Sequence, residues 1–114
     1  MAEAEDVHGD GVVGDGYPAG AGWVVTARGE LDQDTLGPLE QALSEAADRH
    51  GLVVLDASAV TFGDSSFLNL LLQVHRTTVL RIAAPCDQLR RLFALTGVDT
   101  VLSLYPGVQE ALDG

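Results

Sequence analysis

The sequence predicts a single α/β domain, built on a mixed and largely parallel sheet of four to five strands with helices packed mainly on one side. Short apolar segments rich in valine alternate along the chain with segments whose leucines recur every three or four residues. This alternation gives the order β-α-β-α-β-α-β, in which right-handed crossovers stack helices against the sheet. The length of 114 residues fits one domain with its own apolar core.

The domain is expected to follow an N-terminal arm. Residues 1–22 are rich in Gly, Asp, Glu and Ala, a composition typical of irregular segments. Val12 and Val13 within this arm can form a short edge strand. We therefore divide the chain into an acidic, Gly-rich arm over residues 1–22 and a folded domain over residues 23–114.

The ends of the first strand and the first helix of the domain are predicted from glycine, proline and polar capping residues. Trp23–Arg28 forms a strand that ends at Gly29. The following helix has leucines at intervals of three and four, carries Pro38 in its first turn, and ends at His50-Gly51. Its N-cap is expected to be one of three polar residues: Asp32, Asp34 or Thr35.

A second strand and helix follow. Leu52–Leu55 is a continuous apolar run, as in a strand covered on both faces. A short link with Gly63-Asp64-Ser65-Ser66 leads into a helix over about Ser66–His75. On a helical wheel the apolar side chains that face the core are Phe67, Leu70, Leu71 and Val74, and the opposite polar arc contains Asn69, Gln73 and Arg76, with Ser66 near it.

The last elements are shorter. Val79–Ala84 predicts a third strand, Asp87–Leu95 a third helix that ends at Thr96-Gly97, and Val101–Leu104 a final strand. The remaining residues can add one helical turn.

Composition excludes several classes of partner. The formal net charge is −11, with six basic residues, which argues against nucleic acid and against anionic membranes. The single Cys86 excludes an internal disulfide and fits a reducing compartment. No secretory leader or bilayer-length apolar stretch is visible, so a cytoplasmic location is expected. The acids and histidines show no metal-ligand spacing, and no metal or cofactor is predicted.

The link Gly63–Ser66 places two hydroxyls and a carboxylate at a strand-to-helix junction. One interpretation is capping, with Asp64 and Ser65 satisfying the helix amides. A second is a nucleophilic serine, which needs a histidine within hydrogen-bond reach. His75 is about 14 Å along the helix from Ser66, His50 precedes the strand, and His8 lies in the arm. A third makes the serine a phosphate acceptor, with the phosphate held by the helix amides and dipole.

Three stretches resemble the STAS domain of the bacterial anti-sigma factor antagonists, over about Trp23–Ala111. Arg28–Asp32 (RGELD) resembles the family's G-E-L-D after an early strand. Leu55-Asp56 and Val60–Ser66 (VTFGDSS) resemble its central L-D-L-S…V-x-F-x-D-S-S-G-L-G. Leu89–Gly97 (LRRLFALTG) resembles its late helix ending in T-G.

The resemblance implies a regulator without catalytic activity of its own. Such a domain binds an anti-sigma factor that is also a serine kinase and frees the sigma factor. The kinase phosphorylates the second serine of D-S-S, which breaks the complex, and a serine/threonine phosphatase reverses this. By this resemblance Ser66 is the phosphate acceptor, with Ser65 as the alternative. The expected partner-binding residues are Asp32, Asp64, Ser65, Ser66, Phe67 and Asn69.

Two other functions remain open. Phe67-Leu68-Asn69 stands where the family has G-L-G, which favours a constitutive STAS interaction module in a stress-signalling complex that phosphorylation does not control. A serine hydrolase is the remote alternative.

Overall fold

A computed structural model describes residues 13–114 as one α/β domain. The strands of this part of the chain are β1 (Val13–Ala19), β2 (Gly22–Leu31), β3 (Leu52–Gly63), β4 (Val79–Ala83) and β5 (Ser103–Tyr105). Its α-helices are α1 (Gly37–Arg49), α2 (Ser65–His75), α3 (Asp87–Thr96) and α4 (Val108–Asp113), and a 3₁₀ turn covers Val98–Thr100.

The strands form one sheet in the order β1-β2-β3-β4-β5. β1 pairs antiparallel with β2, and the other neighbours are parallel. The predicted α/β class and largely parallel sheet are therefore confirmed. The edge strand is Val13–Ala19, which pairs with β2 from Ala27 to Gly22, whereas Val12 lies outside the described residues.

The helices cover the two faces of the sheet unequally. The larger core lies between one face and α1, α2 and α3. On the other face α4 covers a small cluster centred on Val24, Val54 and Ala83. Arg81 holds α4 in place, because its Nη1 donates to the Ala111 carbonyl at 2.8 Å while its guanidinium lies 5.9 Å from the centre of the Tyr105 ring.

Helix α1 begins differently from the prediction. Leu36 occupies the N-cap position and makes no side-chain cap. The Asp32 carboxylate instead accepts the amides of Asp34 and Thr35, at 2.9 and 3.1 Å, in a turn that precedes the helix. The polar residues therefore stabilise the turn after β2, and the prediction that one of them caps α1 is wrong.

Two strand predictions also need correction. β2 continues past Gly29 to Leu31, because this glycine adopts a φ of +78° within the strand. The predicted strand Val101–Leu104 is displaced, because the 3₁₀ turn that follows α3 moves the start of β5 to Ser103.

β3 is much longer than its apolar run and carries two irregularities. Between the pairs Thr26–Asp56 and Arg28–Ala59, β3 has one more residue than β2. It has a second extra residue between the pairs Gly29–Val60 and Glu30–Phe62. Each such bulge interrupts the regular alternation along β3 of side chains that face the core with side chains that face solvent. As a result Val60 and Gly63 are buried while Thr61 and Phe62 between them are exposed.

Within residues 13–114, no helix has the length and apolar character needed to cross a lipid bilayer.

Replacement of Gly29 tests the backbone geometry that leads into the Asp32 turn. Gly29→Ala is expected to lower the free energy of unfolding by about 1–2 kcal/mol, the cost of a left-handed conformation for an L-residue. Gly51→Ala is the matched control, since a Cβ at either glycine meets open space and only Gly29 has a positive φ. Urea denaturation measures both, and equal midpoints for the two variants would contradict this assignment.

Candidate functional site

The turn after β2 and the junction after β3 lie side by side. The two strands are parallel, and Leu31 is the register partner of Gly63 at their carboxyl ends. The Asp64 amide donates to the Leu31 carbonyl at 3.1 Å and so links the two loops directly. The sheet edge therefore brings Asp32 and Gly63–Ser66 onto one surface.

Asp64 is the N-cap of α2. Its Oδ1 accepts the amides of Ser66 at 2.9 Å and Phe67 at 3.2 Å, and its carbonyl accepts the Leu68 amide at 3.1 Å. The helix begins at Ser65, one residue before the prediction, and Ser65 is its first residue rather than its cap. The capping interpretation is therefore confirmed for Asp64 and wrong for Ser65.

The two serines differ in their surroundings. Ser65 is exposed, whereas Ser66 is half-buried. Within residues 13–114 neither hydroxyl has a hydrogen-bond partner. Ser66 lines a cavity of about 360 Å³ between the starts of α1 and α2, here called the polar groove; its other lining residues are Gln33, Leu36, Gly37, Glu40, Asn69, Leu70 and Gln73.

The lining of the polar groove has an acidic side chain and no basic one. The acidic side chain is that of Glu40. Sequence patterns do not predict Gln33, Glu40 or Gln73 as site residues, because the packing of α1 beside α2 brings them to Ser66. The sequence does show polar residues at exposed positions of both helices, but such residues occur on any solvated helix face and therefore do not identify the groove.

Asp32 is held rigidly beside this groove. It is half-buried, and its turn is closed further by the Thr35 hydroxyl, which donates to the Glu30 carbonyl at 2.9 Å. The Asp32 amide in turn donates to that hydroxyl at 3.0 Å.

Phe67 does not contribute a surface side chain. It is completely buried, and its ring fills the space that a Cβ on Gly63 would occupy. Phe67 was predicted to bind a partner, but its burial lets it act only through the position of the backbone. Asn69, in contrast, is exposed and lines the polar groove.

The core-facing positions of α2 follow the helical wheel. Phe67, Leu70, Leu71 and Val74 are buried, while Gln73 and Arg76 are exposed with Asn69. Leu68 is also buried, which the wheel does not predict, because α2 is packed against both the sheet and α1.

The described histidines are not placed to activate the serines. His50 precedes β3 and stacks on Trp23, with ring centroids 4.8 Å apart. The serines follow β3, whose twelve residues span about 40 Å at about 3.3 Å per residue. His75 ends α2 at the opposite end from the serines, and His8 lies outside the described residues. Residues 13–114 also contain no cluster of side chains suited to a metal ion.

Comparison with known proteins agrees with this architecture. A family model described as "Mlab, STAS domain" matches residues 19–105. An anti-sigma factor antagonist from Mycobacterium paratuberculosis is 33% identical over 86% of this chain and 88% of its own, with a TM-score of 0.78. No curated protein matches at a significant level.

Two further structures share the fold at lower identity. The anti-sigma factor antagonist SpoIIAA in its unphosphorylated form is 20% identical over 87% of this chain and 92% of its own, with a TM-score of 0.72. The Bacillus cell fate determinant SpoIIAA in the phosphorylated form is also 20% identical, over 87% of this chain and 96% of its own, with a TM-score of 0.65.

The fold and the capped serine junction define a class of small α/β binding domain. The chain belongs to the STAS domain family. The anti-sigma factor antagonists of this family are binding and regulatory modules rather than enzymes.

Removal of the Asp64 carboxylate tests the cap. Asp64→Ala is expected to lower the free energy of unfolding by about 1 kcal/mol, because two amides in the first turn of α2 lose their acceptor. Asp64→Asn keeps an acceptor oxygen and is expected to cost much less. Urea denaturation distinguishes the variants, and equal losses for both would show that charge, not hydrogen bonding, is the main contribution.

The contact between Gly63 and Phe67 is tested by a double-mutant cycle. Gly63→Ala is expected to cost about 1–3 kcal/mol through overpacking against the ring. In the Phe67→Leu background the same change should cost about 1 kcal/mol less, because the smaller side chain leaves room for the methyl group. Additive losses in urea denaturation would mean that the two positions are independent.

Proposed function

We propose that this chain is a cytoplasmic anti-sigma factor antagonist that binds a serine-kinase anti-sigma factor, frees a sigma factor, and is switched off by phosphorylation of Ser66. The observation that carries the proposal is the position of Ser66 in the first turn of α2. The Asp64 cap fixes that turn, and the polar groove and the Asp32 turn border it.

The relatives support the proposal from two directions. The Mycobacterium paratuberculosis protein, at 33% identity, is an anti-sigma factor antagonist. SpoIIAA has this fold in both its unphosphorylated and its phosphorylated form. A phosphate is therefore compatible with the architecture, as a switch that leaves the domain folded requires.

Local charge explains how a phosphate would act. It adds about −1.5 to −2 charges at neutral pH. The groove offers Glu40 and no basic side chain. Asp64 already occupies the amides of Ser66 and Phe67, contrary to the expectation that these amides hold the phosphate. A phosphate on Ser66 would lie in the same groove as Glu40, with no basic side chain in the groove lining to pair with it. Its bulk and the cost of desolvating its charge would disfavour a partner surface that fits the unmodified groove.

The resemblance to the anti-sigma factor antagonists implies the partners. An anti-sigma factor with kinase activity supplies the phosphate from ATP, and a metal-dependent serine/threonine phosphatase removes it. Asp32, Asp64 and Asn69 would contact the anti-sigma factor around Ser66. Ser65 is the alternative acceptor, because its hydroxyl is the more exposed of the two.

Phosphate mapping tests the acceptor. The purified chain is incubated with ATP and serine-kinase anti-sigma factors from the same genome, and the modified residue is identified by mass spectrometry. We expect one phosphate on Ser66, lost in Ser66→Ala and retained in the matched Ser65→Ala variant. Ser66→Asp should weaken binding at least tenfold in calorimetry.

Two outcomes would contradict the switch. A phosphate that stays in Ser66→Ala and disappears in Ser65→Ala assigns the role to Ser65. Tight binding that is unaffected by Ser66→Asp, with no phosphate on either serine, supports the constitutive interaction module instead.

A further inference from the structure

A second surface also borders the serine junction. It is a cavity of about 290 Å³ between the end of β3 and α3, here called the apolar cleft; its lining residues include Phe62, Gln88, Arg91, Leu92 and Leu95. Gly63 also lines it, whereas Ser66 lines the polar groove. The junction Gly63–Ser66 therefore lies between the two.

Two large apolar side chains of the apolar cleft are exposed to solvent. Phe62 is 45% exposed and Leu95 is 79% exposed, and both belong to the large hydrophobic residues that residues 13–114 leave at the surface. With regular alternation along β3, Phe62 would be buried like Val60, which lies two residues before it. The bulge before Phe62 turns it outward and leaves Gly63 inside, so the strand irregularity creates the cleft.

The charge of the cleft differs from that of the rest of the protein. The chain carries 17 acidic and six basic residues, yet the lining of the cleft contains Arg91 and no acidic side chain. Arg90 and Arg91 are both exposed, but Arg90 donates its Nε–H to the Pro85 carbonyl at 3.2 Å and only Arg91 lines the cleft. A partner with an acidic rim around an apolar side chain complements this surface.

The lining of the cleft is suited to a protein side chain, because it combines apolar residues with one basic residue. Apolar side chains that anchor protein interfaces insert into pockets of this kind, with charged residues at the rim.

We propose that the apolar cleft binds a leucine or phenylalanine side chain that the anti-sigma factor presents on an acidic segment. This rests on the proposed function, because the junction Gly63–Ser66 borders both the cleft and the polar groove, so that a partner bound over Ser66 would also reach the cleft. The cleft anchors the complex through apolar contact with the inserted side chain, and Arg91 favours acidic residues of the partner on either side of it.

One test needs no anti-sigma factor. The ¹⁵N-labelled chain is titrated with a capped helical peptide that presents leucines flanked by glutamates, and with a control peptide in which serine replaces leucine. We expect the leucine peptide alone to shift the resonances of Phe62, Leu92 and Leu95. Unmoved resonances at these residues would overturn the proposal. Concentration-dependent shifts without peptide would also overturn it, because a second copy of the chain would then fill the cleft.

The second test uses variants that keep the serine junction intact. Leu95→Ala is expected to weaken binding to the anti-sigma factor about tenfold, as is Arg91→Glu. Their matched controls, Val79→Ala and Arg76→Glu, are expected to have little effect, since both positions are exposed and lie outside the cleft.

The two tests separate the cleft from the switch. Tight binding that Leu95→Ala leaves unchanged overturns the cleft as an anchor while the proposed function stands. Peptide shifts at the cleft, with no binding or phosphorylation by any serine-kinase anti-sigma factor, overturn the proposed function and the anti-sigma factor as the occupant of the cleft, and leave only the preference of the cleft for a leucine side chain.

Discussion

Asp64 links the end of β2 to the start of α2. Its amide donates to the Leu31 carbonyl at the end of β2, its carboxylate caps α2, and its carbonyl accepts the Leu68 amide. The two loops at the carboxyl end of the sheet are therefore linked to the first turn of α2 by hydrogen bonds. Ser66 is positioned by this arrangement, although its own hydroxyl makes no hydrogen bond to the described residues.

A site of this kind separates structure from signalling. Asp64 and the buried Phe67 stabilise the start of α2, so that the Ser66 hydroxyl is not needed for the fold. A charged group added at Ser66 then changes the surface without removing a contact from the core. Negative charge from Glu40 close by makes the surface sensitive to that change.

Much of the architecture could be predicted because burial has a simple periodicity. The leucine spacing of α1 and the inward face of α2 identify the core, and the alternation of elements identifies the parallel sheet. The start of α1 could not be predicted, because Asp32 and Thr35 satisfy a turn as readily as a helix.

The site was predictable in part. Asp64 and the two serines form a motif of adjacent residues, and the Asp64 cap could be predicted from it. The polar groove depends on how α1 packs beside α2, and the outward turn of Phe62 depends on a bulge whose position no residue type marks. The position of Phe67 next to the serines favoured a partner-binding role. Its ring is buried instead, because Gly63 has no side chain and leaves space for it.

We propose that one phosphate on Ser66 weakens binding to the anti-sigma factor and leaves the fold intact. Protein with phosphoserine incorporated at position 66 during synthesis is compared with the unmodified chain in calorimetric titration of the anti-sigma factor and in thermal unfolding. We expect at least a tenfold loss of affinity with a Tm that changes by only a few degrees. Equal affinity for the two forms, or loss of binding that is accompanied by unfolding of the domain, would contradict it.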